Sequence, residues 1–465
     1  MCRHTLYRSA GLAAIASLFA CSDPGQTVDS LSAIGNRPGG ATLTCTPPTP
    51  DSLIPLPVAA PGKRVDLGTP VFSNPTRVTN PHVPISELDH VVLVGFVDGV
   101  PFRAETSLLP GINRIDLGDR TVETLTSQYV AYLDRRIDET AIDWYGQDDD
   151  GAVWYFGEDV SNYEDGEIVD THGTWLACKD GPVAMIMPAH PAVGDVYRVE
   201  NIFPTVFEEI EILKTDQTEP GPLGPVSGAF EVSQLHLDGH YEPKIFAPGY
   251  GEFSTGSGTD IEELAIALPI NAAGTATPAD LRLILSGARR IFEAAGDGRW
   301  SVVSRSLNEV KDAWARYRSG NIPRLLRPLV SQALDNLAQA ASGREQSGAR
   351  QFALDVSRVS LDLLLQYRSR NDVDFARLDL WSRQLQLDAE AADAAGVRSD
   401  LAIAGRILDR LATPATPSQR AAAQAVRDEL APLRAAAGRQ GGHEVVAGAG
   451  RLQRLLYDGV QHAER

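Results

Sequence analysis

Among its 465 residues the chain holds only four cysteines and three methionines, and no two cysteines form a CxxC pair. Thioredoxin-like redox chemistry and zinc-ribbon binding therefore have no support. GxSxG, HExxH, P-loop and GxGxxG signatures are also missing, which removes the usual marks of several hydrolase, protease and nucleotide-dependent mechanisms. Basic charge is scarce: 42 Lys and Arg stand against 61 Asp and Glu, for a net −19. A nucleic-acid binder carries the opposite footprint. What is present is ordinary globular usage, 43% apolar and 22% charged, in a chain long enough for about three folded units.

The charge is unevenly placed. Up to Ala276 there are 15 Lys and Arg against 39 Asp and Glu, and after it 27 against 22; prolines divide 24 to 6. Two differently built parts are implied, a very acidic one whose natural company is cations or a basic protein partner, and an Arg-rich one. Opposite charge suits either docking of the two on each other or service to different partners.

Residues 1–20 carry Arg3 and Arg8, then eleven apolar or small residues. That run is too short to span a bilayer and predicts a cleaved export signal. It ends in Leu18-Phe19-Ala20-Cys21, which resembles the lipobox of bacterial lipoproteins. The resemblance implies diacylation of Cys21, a membrane anchor through that lipid, and an address in the cell envelope. Ser22 matches the pattern sent to the outer membrane if the cell is Gram-negative, there facing the periplasm or the cell surface. With Cys2 in the signal and Cys21 lipidated, Cys45 and Cys178 remain, and an oxidising compartment allows them to pair. Residues 21–70 are proline-rich and poor in aromatics, which predicts an extended tether.

Residues 71–272 alternate in short runs broken by turn dipeptides: residues 91–97 before Asp98-Gly99, and Glu164-Asp165-Gly166 before Glu167-Ile168-Val169. Gly in such turns supplies the positive φ of antiparallel hairpins, so this is read as an antiparallel β meander or half-barrel. From 277 to 465 the period becomes 3.6. Thr277-Pro278 predicts a helix start with Thr as N-cap, and Trp300, Val303, Leu307, Val310, Trp314 and Tyr317 form one helical stripe. Further helices are predicted near 323–341, 345–367, 373–394, 397–411, 417–436 and 443–463, with Gly343, Gly396 and Gly438 as C-caps and Pro328 and Pro432 inside two spans. The whole is an α+β multidomain chain, β domain then helical bundle, the bundle being either one antiparallel assembly or two stacked four-helix units, 277–370 and 373–465.

The hairpin Asp143-Trp144-Tyr145-Gly146-Gln147-Asp148-Asp149-Asp150-Gly151-Ala152-Val153-Trp154-Tyr155-Phe156-Gly157-Glu158 resembles a family of secreted bacterial lipoproteins with a DWYxQDxxGxVWYFGE-like motif. Later pieces follow in order, among them Gly173-Thr174-Trp175, Ile186-Met187-Pro188-Ala189 and Ala247-Pro248-Gly249-Tyr250-Gly251. The resemblance covers roughly 75–255. It implies a fold and an envelope address, with no catalytic residue to carry over.

Three constellations suit a metal. Asp148 and Asp150, with Glu158 across the hairpin, offer oxygen to calcium; His236 and His240 flank Leu237-Asp238-Gly239 at a spacing open to zinc or copper; Met185, Met187 and His190 offer soft ligands to copper. The competing readings are a solvated hairpin turn, a second hairpin turn, and core methionines beside an exposed histidine. Trp144, Trp154 and Phe156 sit on paired strands as core or as a ligand face. The functional expectation is an envelope-anchored, non-enzymatic binding or structural lipoprotein. Its alternatives are a metal-binding protein holding a divalent or copper ion, and a carrier of apolar ligand or lipid on a curved sheet.

Overall fold

The structure is a computed structural model that describes residues 45–272, 274–411, 417–439 and 441–464. The export signal and Cys21 lie outside the described residues. Within them, fifteen strands precede eight helices, an α+β chain with the β part first. The strands are β1 Leu88–Val97, β2 Val100–Leu108, β3 Asn113–Asp116, β4 Thr121–Leu133, β5 Arg136–Gln147, β6 Val153–Glu164, β7 Glu167–Asp170, β8 Trp175–Leu176, β9 Ala184–Met187, β10 Val196–Ile202, β11 Val206–Gly221, β12 Gly224–His236, β13 Tyr241–Ala247, β14 Gly251–Ser257 and β15 Asp260–Pro269.

Every pairing between these strands is antiparallel, in the order β10-β11-β12-β13-β14-β15-β1-β2-β4-β5-β6-β7. The Asp-Gly turns do what their composition predicts. Asp98 and Gly99 stand at φ 51° and 79°, and Asp165 and Gly166 at 52° and 77°, the left-handed pair that matches strand twist in a two-residue hairpin. Asp134-Arg135, at 43° and 70°, makes a third such turn without glycine. β8 and β9 pair with β6, and β9 packs on β10, so the sheet curls until its ends meet.

Alternation gives the curled sheet two buried faces. Val92, Val130, Tyr132 and Ile137 join the helices in one core. Their neighbours Leu93, Ala104, Tyr129 and Ala141 turn to the inside of the curl.

The helices are α1 Ala279–Gly296, α2 Trp300–Tyr317, α3 Leu326–Gly343, α4 Gln346–Leu364, α5 Arg370–Glu390, α6 Ala394–Arg410, α7 Pro417–Gly438 and α8 Gly442–Glu464. α1 packs on α2 and α4, and α3 on α2 and α4; α5 through α8 repeat that adjacency, and α4–α5 contact joins the two rings. The predicted stripe is α2's buried face, with Trp300 half-buried at its start. α5 is buried nearly all round, charged residues included, because it lies between the sheet and its neighbouring helices. Among the described residues no helix is long and apolar enough to cross a membrane.

Local details depart from expectation. Pro278 precedes α1, and Thr277 accepts a bond from Arg368 Nε at 2.9 Å in place of capping. Gly396 is no C-cap: it lies in the first turn of α6, capped by Asp393, where a Cβ would collide with the Arg136 guanidinium at 2.1 Å. Gly343 is only the last residue of α3, whose left-handed cap is Arg344 at φ 53°; Gly438 ends α7, Pro328 sits in the first turn of α3 and Pro432 lies within α7.

The larger departure is the tether. Residues 45–70 are not free but strapped along the sheet. Ile54 is buried against Phe207 and Leu235, Val65 N–H donates to Val196 O at 2.8 Å, and buried Arg198 bonds Asp51 at 2.8 Å. Cys45 and Cys178 are joined by a disulfide with a Cα separation of 4.1 Å. The segment forms only two short 3-10 turns, Asp51–Leu53 and Pro61–Lys63, yet Ile54 still enters a groove with Leu56 and Val58 packed beside it.

Candidate functional site

Inside the curl, the inward residues of β1, β2, β4 and β5 are mostly small or aliphatic, and they do not fill the space. A cavity of about 130 Å³ remains, floored by Val91, Leu93, Ala104 and Ala141, flanked by Tyr129 and Tyr145, and covered by residues 83–85. This is close to the roughly 150 Å³ apolar cavities that take up a benzene-sized molecule. Its room suits one ring or a short alkyl segment.

Three carboxyl groups break the apolar wall: Asp143 from β5, Glu252 from the start of β14 and Glu262 from β15. Asp143 accepts bonds from the Tyr155 hydroxyl at 2.9 Å and Ser127 Oγ at 3.1 Å, yet burial pushes it up to about 7. Glu252 accepts from Thr255 Oγ1 at 2.6 Å and lies 3.6 Å from the buried Lys244 ammonium. Glu262 is 3% exposed, and its Oε2 has no hydrogen-bond partner. Burial first, and then the neighbouring Glu252, hold its carboxyl well above the usual range. β15 alternation explains its direction: Glu263 faces outward to Arg324 at 2.7 Å, so Glu262 faces in.

The metal candidates fare differently. Asp148, Asp150, Met185 and His190 line one cleft of about 260 Å³ under the strap. The Asp148 carboxylate is already committed there, to Trp154 Nε1 at 2.7 Å and to the backbone N–H of Ala152 and Asp150. Met187 is fully buried in the core. Glu158 is remote from this turn. It pairs with Asp143 in the sheet register and lies buried, and burial first, then Glu200, raise its carboxyl well above the usual range. His236 and His240 flank the β12–β13 turn, their rings 6.2 Å apart. Both ring nitrogens of His236 face carboxylates, Glu208 at 3.1 Å and Glu242 at 3.3 Å. Although burial opposes it, these pairings push His236 up to about 9, and an imidazolium has no lone pair for a metal. Among the described residues no three His, Cys, Asp or Glu side chains converge as a metal site.

The aromatic candidates are core rather than cavity wall. Phe156 is fully buried against Phe72, Trp154 is tied to Asp148, and Trp144 is half-buried beside the same cluster. Sequence reasoning missed Glu252 and Glu262. The available signal was parity: Glu262 and Leu264 share a strand face, so a carboxylate sat at a core position. No protein-family model matches this chain, and no curated protein matches it.

Proposed function

We propose that this is an envelope-anchored, non-enzymatic binding protein whose curled sheet holds a small, largely apolar molecule. The observation that carries the reading is the unfilled cavity, walled largely by aliphatic and tyrosine side chains. Well-packed interiors leave few voids of this size, since lost contacts destabilise the fold. A molecule of one ring restores those contacts. The cavity's volume favours such a ligand over the full acyl chains of a membrane lipid.

Anchoring is supported by the lipobox at Cys21: Cys21→Ser is expected to release the protein from the membrane fraction, and continued membrane retention would refute the anchor. Binding is tested by calorimetric titration of the full chain with one-ring probes, 2-phenylethanol and phenethylamine. At least one should bind with one-to-one stoichiometry, and Ala104→Phe, which fills the cavity floor, should abolish the heat. Equal heats from wild type and Ala104→Phe would place binding elsewhere.

A further inference from the structure

We propose that the cavity selects a protonated amine, with the Glu262 carboxylate as its buried counter-ion and the apolar floor holding the attached ring or alkyl group. This rests on the cavity reading above and adds the ligand's charge.

The argument is one of unbalanced buried charge. Glu208, Glu242, Glu252 and Glu262 crowd β11 to β15, facing only Lys244 and His236 as buried cations. His236 is spent on Glu208 and Glu242, and Lys244 approaches Glu252. Two cations leave two of the four carboxyls unmatched in charge, and Glu262 is the one without an ion pair: both Glu252 and Glu262 open on the cavity with an Oε2 that has no hydrogen-bond partner, but only Glu252 has the Lys244 ammonium within 3.6 Å. A buried acceptor without a donor costs about 1–3 kcal/mol. An ammonium group supplies that donor and the missing charge together. A neutral ligand of equal shape supplies neither.

Burial first, and then Glu252 on β14, raise the Glu262 carboxyl well above its usual range; Lys244 on β13 opposes the rise, while Glu242 on β13 and Asp260 on its own strand add to it, and Tyr129 on β4 faces the same group. When a protonated amine enters, the carboxylic acid passes its proton to solvent, and an ammonium–carboxylate pair forms with no change in the amine's own protonation.

The test compares phenethylamine with 2-phenylethanol, which differ by the amino and hydroxyl groups, on the full-length protein at neutral pH. The amine is expected to bind at least about tenfold more tightly, as charge-assisted hydrogen bonds do. Titration in two buffers of different ionisation enthalpy should report proton release with the amine and none with the alcohol. Glu262→Gln, close in size and shape, should bring the two affinities together. Equal affinity in wild type, or an amine preference that survives in Glu262→Gln, would overturn the charge assignment while leaving the apolar cavity standing. Binding of neither probe would overturn both.

Discussion

At Glu105 one carboxylate ties three arginines, and through them the two halves of the chain. Its Oε1 accepts from Arg103 at 2.7 Å, and its Oε2 faces Arg410 at 2.6 Å and Arg377 at 3.5 Å. Asp374 and Asp362 complete the group, Asp374 bonding Arg410 at 2.6 Å and Asp362 bonding Arg377 at 3.0 Å. His90 Nε2 meets Arg377 at 3.0 Å, so its Nδ1–H donates to Ser107. Burial first, and then Arg377, keep this ring neutral. Three positive and three negative groups thus cancel in a buried interface between β1–β2 and α4–α6. Removing one charge leaves its partners exposed to the full penalty of burial. Glu105→Gln is expected to lower stability by about 3–5 kcal/mol in urea unfolding. Replacing Glu105 and Arg410 together by methionine should cost clearly less. Equal losses in the two variants would mean that packing, not charge balance, sets the cost.

At the scale of elements, the strap and the α5 helix mark where local pattern stopped being informative. The hairpins at Asp98-Gly99 and Asp165-Gly166 were legible because a turn's φ requirement selects its residues locally. The helices were legible because an amphipathic stripe repeats every 3.6 residues. α5 has almost no such stripe; beside the local pairs Arg377–Asp374 and Arg383–Asp379, its buried Arg377, Asp374 and Arg383 also reach Glu105, Arg410 and Glu293, partners distant in sequence. No window around them holds that information. Glu262 was hidden likewise, its cavity built from strands far apart in the chain. In the strap, proline content signalled irregular backbone but not whether Ile54 and Leu56 had a groove to enter. The disulfide fixes that segment across 133 residues of sequence. Long loops gain most from closure, so Cys45→Ser with Cys178→Ser should cost roughly 2–5 kcal/mol. Proteolysis should then cut first within residues 45–70. Unchanged protease resistance in the double variant would show that Ile54 and Arg198 hold the strap without help.

For the molecule as a whole, the acidic composition acquires a physical meaning through the inside of the sheet. The excess of carboxylates is not all solvated. Burial, aided by nearby acids, pushes Glu139 and Glu200 each up to about 8, and burial pushes Asp143 up to about 7. Unfolded, these groups titrate near 4. Their folded-state values are raised, so the stability they contribute is fully present below about pH 4 and is lost as pH rises through 7 and 8. His236, raised to about 9, adds in the same direction, its contribution present below about 6.5 and lost as pH climbs through 9. Glu105 works the other way. Although burial opposes it, Arg377 and Arg410 hold it well below the usual carboxylate range. Its contribution is present above about pH 4 and disappears as pH falls further. The two groups of carboxylates together place maximal stability between about pH 4 and 5, with a decline from there towards pH 9. Thermal unfolding of the full chain followed across that range is therefore expected to give a melting temperature that falls continuously as the solution becomes more basic. Glu139→Gln combined with Asp143→Asn should flatten the fall between pH 5 and 8, because two of the groups that shed protons there no longer titrate. A melting temperature that rises from pH 5 to pH 8 in the wild type would mean that these carboxyls are ionised in the folded protein.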